Sequence, residues 1–190
     1  MAKLLPARLQ VYFIYTDDYF AKNIAKELEI NSRPEDNDER SIFFTRGVLE
    51  TVRKLRWEPD IVHCGGWISA LTAAYLKDVY NEDSTFSHAK VVYSIYDNDL
   101  AAPLDARMGE KLAADGISEA NTKDIMGKEV DYKMLTKLAI ANSDGVIQRC
   151  ENLDPEILQF IQESGKPFMP YSADEEGVDA SVYAEFYKSL

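Results

Sequence analysis

Short apolar runs alternate with amphipathic stretches along this chain, and the alternation predicts its elements. Residues 9–15 (Leu-Gln-Val-Tyr-Phe-Ile-Tyr) are β-branched and aromatic and read as a buried strand. Asp17 and Asp18 cap a helix predicted through about residue 29, with Phe20, Ile24 and Leu28 recurring every fourth position. Residues 30–39 form a polar loop, in which Asp38 is placed to cap the next helix and its acids suit the positive end of the helix dipole. That helix, about 39–56, carries the strongest signal: Phe44, Val48, Thr51, Val52 and Leu55 make one apolar stripe. Arg46, Glu50, Arg53 and Lys54 make its solvated face.

Pro59 separates this helix from a short strand over about 60–64, and Gly65-Gly66 turns the chain into a helix over about 68–80. Leu71, Ala74, Tyr75 and Val79 face inward on it. A polar turn over 81–87, with His88 as an exposed turn residue, leads into a buried strand over 89–96 that ends at Asp97-Asn98-Asp99. Pro103 opens a helix predicted through residue 115 and stopped by Gly116. After a polar excursion, Asp131 caps a helix through about residue 142 that carries Leu135, Leu138 and Ala139. A strand over 145–148 follows, then a helix opened by Asp154-Pro155, carrying Ile157, Leu158 and Ile161 and ended by Gly165. A last strand over 166–170, an acidic connector and a terminal helix over 178–190, with Val182, Tyr183 and Phe186 turned inward, complete the chain. Strands alternating with helices predict an α/β fold, a parallel sheet in a three-layer α/β/α sandwich.

In open parallel sheets ligands sit at the carboxyl ends of strands. His63 to Trp67 therefore border any small-molecule site. The strand over 9–15 starts close to the N-terminus, and a buried parallel strand has neighbours on both sides. An open edge or bare apolar face is expected there, and a second copy covering it would make a homodimer.

A chain of 190 residues, 46% of them hydrophobic, builds one domain with a sizeable core. Its formal net charge is −12, with 33 acidic against 21 basic residues, a field that repels nucleic acids and anionic membranes. No apolar run reaches the roughly 18 residues of a membrane span, and the N-terminus lacks a signal-peptide pattern, so a cytoplasmic protein is expected. Cys64 and Cys150 read as reduced core thiols, and two cysteines with two histidines in no ligand spacing predict no metal. There is no phosphate-loop lysine, and no cofactor is expected. His63 and Cys64 are adjacent in a strand, so they point to opposite faces and cannot pair as base and nucleophile. Asp17/Asp18 and Glu175/Glu176 are carboxylate pairs in loops and caps, and no catalytic residue is assigned. Gly65-Gly66 reads as a strand-to-helix turn, or as backbone N–H groups offered to an anion.

Several ordered motifs carry a resemblance. Asp36-Asn37-Asp38-Glu39-Arg40, Trp57-Glu-Pro-Asp60-Ile-Val-His63-Cys64, Trp67-Ile-Ser-Ala70-Leu-Thr-Ala-Ala-Tyr75 and Leu138-Ala-Ile-Ala-Asn-Ser-Asp144-Gly-Val-Ile147 are similar to bacterial glycogen/starch synthases. The likeness is closest to the short glycogen-synthase-like proteins of the Bacteroides group. It covers the N-terminal, acceptor-side domain of that family, one Rossmann-like half of a GT-B architecture that closes on ADP-glucose and a glucan end. It implies substrate-binding positions at Asp36, Arg40, His63, Gly65, Gly66, Trp67 and Tyr96. It also implies a chain beginning beyond the family's first strand and Lys-Thr-Gly-Gly loop, without the nucleotide-binding half.

The departures shape the expected function. The family's His-x-His-Asp-Trp appears here as His63-Cys64-Gly65-Gly66-Trp67, its Thr-Ile-His-Asn as Ser94-Ile95-Tyr96-Asp97, and its Val-Ser-Pro as Ile147-Gln148-Arg149. Glucosyl transfer needs cations or helix N-termini on the departing diphosphate and groups that place both sugars. The expectation is a non-catalytic relative that binds a glucan or a partner protein. The alternatives are a glucosyltransferase component using ADP-glucose with a separate donor-binding chain, and a binder of a small sugar phosphate or nucleotide.

Overall fold

The computed structural model describes residues 3–5, 9–16, 19, 34–97, 100, 102–172 and 180–190. Two short strands, β1 (Lys3–Leu5) and β2 (Leu9–Val11), pair antiparallel in a ribbon of their own. After α1 (Asn37–Lys54) come β3 (Ile61–Gly65), a 3₁₀ turn (Trp67–Ser69) and α2 (Thr72–Asp78). Then follow β4 (Lys90–Ile95), α3 (Met108–Ala114), α4 (Glu119–Thr122) and α5 (Tyr132–Asn142). The chain continues with β5 (Gly145–Gln148), α6 (Pro155–Ser164), β6 (Phe168–Met169) and α7 (Ala180–Lys188). Strands β3, β4, β5 and β6 lie side by side in chain order and all parallel.

Local chemistry sets the crossover helices. The Asp131 carboxylate accepts from Met134 N–H at 2.8 Å and starts α5; Asp154 accepts from Glu156 N–H at 2.8 Å and starts α6, with Pro155 in its first turn. Gly165 closes α6 in the left-handed conformation, with φ of 65°.

Successive strand residues face opposite ways, so the register sorts the sheet into two faces. On one, Cys64, Val91, Tyr93, Ile95 and Val146 merge with Leu71 and Tyr75 of α2, Leu135 and Ile140 of α5, and Ile157 and Ile161 of α6. This is the hydrophobic core. On the other lie His63, Val92, Ser94, Gly145 and Ile147. That face meets α7: a Cβ on Gly145 would lie 2.8 Å from Leu190 Cδ2 and 3.0 Å from Phe186 Cζ. Helices on both faces of a parallel sheet make the three-layer α/β fold that the alternation predicts.

Several local expectations change. Residues 9–15 do not enter the main sheet; β2 pairs with β1, and Phe13 is 71% exposed. Apolar, β-branched composition favours extended chain but cannot choose its partner, and the nearest one in sequence takes it. Among the described residues β3 has no strand on its outer side. The helix expected over 17–29 and the connector over 173–177 lie outside the described residues, apart from Tyr19.

Helix α1 begins two residues early, so Asp38 is no cap: it is buried in the first turn and paired with Lys111. The buried stripe of α1 is Asn37, Ser41, Thr45 and Leu49, one residue round from the stripe expected. Phe44, Val48 and Leu55 instead line a surface groove with Tyr12, Ile14 and Trp57. Glycine at 47 lets Ile14 come close, since a Cβ there would meet its Cγ2 at 2.9 Å. Pro103 opens no helix, because Leu104 exchanges both backbone hydrogen bonds with Val130, and α3 starts only at Met108. Val79 and Val182 face solvent rather than the interior. Both lie near helix ends, where one residue of phase moves a side chain off the apolar face.

Candidate site at the carboxyl ends of the parallel strands

Strands β3, β4 and β5 end side by side, with Gly65 beside Ser94 and Ser94 beside Ile147. Beyond the ends come Gly66-Trp67, Tyr96-Asp97 and Arg149-Cys150. The Ser69 hydroxyl clamps the first turn: it accepts from Gly65 N–H and donates to Gly65 C=O, both at 2.8 Å. Gly66 has φ of 71°, a conformation that suits glycine, and its N–H donates to Ser94 C=O at 3.4 Å.

Glycine at 65 admits an aromatic ring. A Cβ built there would lie 2.9 Å from Tyr96 Cε2. Tyr96 thus lies across the end of β3, in the space a side chain at 65 would take, while remaining 44% exposed. The Tyr132 hydroxyl donates to Tyr96 C=O at 2.6 Å and fixes the backbone beneath the ring.

His63 points to the α7 side of the sheet. Its Nε2 is hydrogen-bonded to Ser94 Oγ at 2.6 Å and its Nδ1 to Tyr187 Oη at 2.7 Å. Partial burial, and then the Arg149 guanidinium, hold the imidazole below its ordinary value. Arg149 itself lies 5.6 Å from the centre of the Tyr183 ring and donates to the Tyr183 hydroxyl. On the core side, burial pushes the Cys64 thiol up to about 11, so it is no nucleophile at neutral pH. Burial raises Cys150 too, and Asp97 adds to this.

A cleft of about 390 Å³ opens beside Tyr96, lined by Asp97, Asp131, Tyr132, Cys150 and Asp154 among others. Its one cation, among the described lining residues, is Lys133, which is engaged by Asp154 at 2.9 Å and Glu156 at 3.2 Å. Phenol rings and carboxylates suit neutral hydroxylated ligands: rings offer an apolar face, and carboxylate oxygens accept from hydroxyls. They do not suit a diphosphate.

Of the residues singled out in the sequence, His63 joins Ser94, and Gly65 joins Tyr96. Gly66 shapes the turn. Trp67 is 4% exposed and belongs to the core, and so anchors the turn rather than facing a ligand. Asp36 is the N-cap residue of α1, and Arg40 is buried within its first turns, donating from Nη1 to Asn37 Oδ1 at 3.1 Å. This helix packs on the Trp67–Ser69 turn. Ser94, Arg149, Tyr183 and Tyr187 were missed as partners. Strand parity could have paired Ser94 and Arg149 with His63, but nothing in the sequence places α7 above them. Among the described residues no three His, Cys, Asp or Glu side chains group as a metal site, and no helix is long and apolar enough to cross a membrane.

The glycogen synthase of Chlorobium limicola is 35% identical over 115 residues, covering 60% of this chain and 24% of that protein. The glycogen synthase of Pelodictyon phaeoclathratiforme is 33% identical over 115 residues, with the same coverage of 60% and 24%. The chain thus matches about a quarter of the length of these relatives. Among solved structures, the catalytic domain of starch synthase IV from Arabidopsis thaliana, bound to ADP and acarbose, superposes with a TM-score of 0.51 at 19% identity. That match covers 71% of this chain and 29% of the other, and shows a shared fold, one Rossmann-like half of a GT-B enzyme. The family model for the starch synthase catalytic domain matches residues 1–165, and the chain belongs to that family.

Proposed function

We propose that this chain is a non-catalytic relative of the glycogen and starch synthases that holds a neutral glucan in the cleft beside Tyr96. One observation carries the reading: the Tyr96 ring fills the space over Gly65. The resemblance places the second histidine of His-x-His-Asp-Trp at that position. Here the side chain is gone and its space is taken by an aromatic ring facing the cleft.

The cleft chemistry supports the same reading. Three carboxylates, Asp97, Asp131 and Asp154, surround it, and its lysine is already engaged. A nucleotide-sugar diphosphate meets repulsion there, whereas a glucan meets hydrogen-bond acceptors and an exposed ring. Calorimetric titration with maltoheptaose tests it. Binding is expected, and Tyr96→Ala should weaken it roughly tenfold, ~1.4 kcal/mol. Absence of binding removes the glucan assignment. ADP-glucose-dependent incorporation of glucose into glycogen by the pure protein removes the non-catalytic one.

The family match over residues 1–165 supports a second reading, in which this domain serves an ADP-glucose-dependent transferase together with a donor-binding chain. Activity appearing only on mixing with such a chain is its signature. Pairing of two copies at the outer edge of β3, which carries no strand among the described residues, is a further proposal, and a monomer by light scattering at high concentration would remove it.

A further inference from the structure

Helix α7 is held differently from every other long helix. None of residues 181–190 is buried; Tyr183, Phe186, Tyr187 and Leu190, which face the sheet, are only half-buried. Yet beneath it Val92 and Ile147 are both 0% exposed and Ser94 is 1% exposed. Among the described residues, the half-buried α7 meets this face at Gly145 and at His63. Two of its grips are polar and meet at one place: Tyr187 on His63, and Tyr183 on Arg149. A nine-residue helix is not stable in water by itself. Once it lifts, it melts, and nothing intrinsic holds it near the sheet.

We propose that α7 is a proton-released latch: protonation of His63 frees it from the sheet and uncovers Val92, Ile147, Ser94 and Arg149. The groups around His63 set the direction. From α7 comes the neutral Tyr187 phenol, from β4 the Ser94 hydroxyl, and after β5 the Arg149 guanidinium. Both hydroxyl oxygens can accept from an imidazolium, so the hydrogen bonds alone do not oppose protonation. What opposes it is lost hydration under α7, and then the like charge of Arg149. Lost hydration acts only while α7 is docked, and release lets water screen the charge of Arg149. Released, His63 returns toward its ordinary value near 6.5, so the free state binds the proton more tightly. Docking is at full strength above that value and weakens as pH falls below it.

Release also reaches the cleft, because Arg149 precedes Cys150 of the cleft wall. Freed from Tyr183, it brings a cation beside the carboxylates there. The inference stands without the glucan reading, since it concerns only the helix and the sheet face.

Hydrogen exchange read by mass spectrometry on the full chain tests it, with intrinsic rates corrected for pH. Protection of the amides in 181–190 is expected to fall severalfold from pH 7.5 to pH 5.5, while β4 and α5 amides hold theirs. In His63→Gln, which keeps a hydrogen-bonding side chain but cannot titrate, the fall should vanish. Tyr187→Phe should lower α7 protection at pH 7.5 by roughly fivefold (about 1 kcal/mol), one lost hydrogen bond. Three results overturn the proposal: α7 amides as protected as those of β4, no pH dependence in the wild type, or the same dependence in His63→Gln. Unchanged protection of β4 and α5 in each variant verifies that the fold is intact.

Discussion

The two faces of the parallel sheet are built on opposite principles. One is covered by α2, α5 and α6, whose Leu71, Tyr75, Leu135, Ile140 and Ile157 are essentially fully buried. The cover there is thick and apolar, and Tyr75 satisfies its hydroxyl on Asp115 at 2.6 Å. The other face carries His63 and Ser94 among Val92 and Ile147, with glycine at 145, and among the described residues the helix that meets it, α7, is half exposed. Apolar area removed from water scales with stabilisation, so the first face holds the fold. The second contributes less and can open at lower cost. The titratable His63 and the Arg149 cation lie on that side, where α7 meets them.

The largest effect should separate the faces directly. Ile140 and Ile147 are both 0% exposed, but one lies in the core and the other under α7. Ile140→Ala removes buried methylenes where packed helices cannot close the gap, and should cost about 3–4 kcal/mol. Ile147→Ala should cost about half as much, because a half-buried helix can settle into the space. Denaturant unfolding measures both. Equal losses would mean that α7 packs as rigidly as α5.

The first face was legible in the sequence and the second was not. Helix periodicity at Leu71, Ala74, Tyr75, Leu135 and Leu138 points at a core, and Asp131 and Asp154-Pro155 name their own helix starts. These signals are local. The stripe on α1 was missed because the buried side is polar: Asn37, Ser41 and Thr45 pack inward, while Phe44 and Val48 face a groove. No hydropathy pattern reports a polar stripe that faces a tight turn. At the site, Gly65 was legible as a missing side chain, but Tyr96 in its place was not. That contact joins two strand ends and depends on register, which the sequence does not state.

Gly145→Val acts on the second face alone. The glycine Cα lies so close to α7 that an added Cβ would meet Leu190 at 2.8 Å and Phe186 at 3.0 Å. The helix must shift or leave. The loss is capped by whatever docking contributes, expected at about 1–2 kcal/mol rather than the larger penalty of overpacking a rigid core. Helical ellipticity at 222 nm should fall while near-ultraviolet signals from the core persist. A loss approaching that of Ile140→Ala would show that both faces share one cooperative unit.

The smallest effect is the most specific. Gly65→Ala places a methyl 2.9 Å from Tyr96 Cε2, but an exposed tyrosine ring can swing away, so stability should change by less than about 1 kcal/mol. The ring's position over the cleft should change with it. If ring and side chain compete for one space, the substitutions are coupled. Tyr96→Ala weakens maltoheptaose binding by itself; Gly65→Ala weakens it by moving the ring; the double variant should be no weaker than Tyr96→Ala alone. Additive losses would mean that Gly65 acts on the ligand through its own backbone. Position 65 would then be a contact in its own right, and the loss of the family's histidine there would say nothing about the ring beside it.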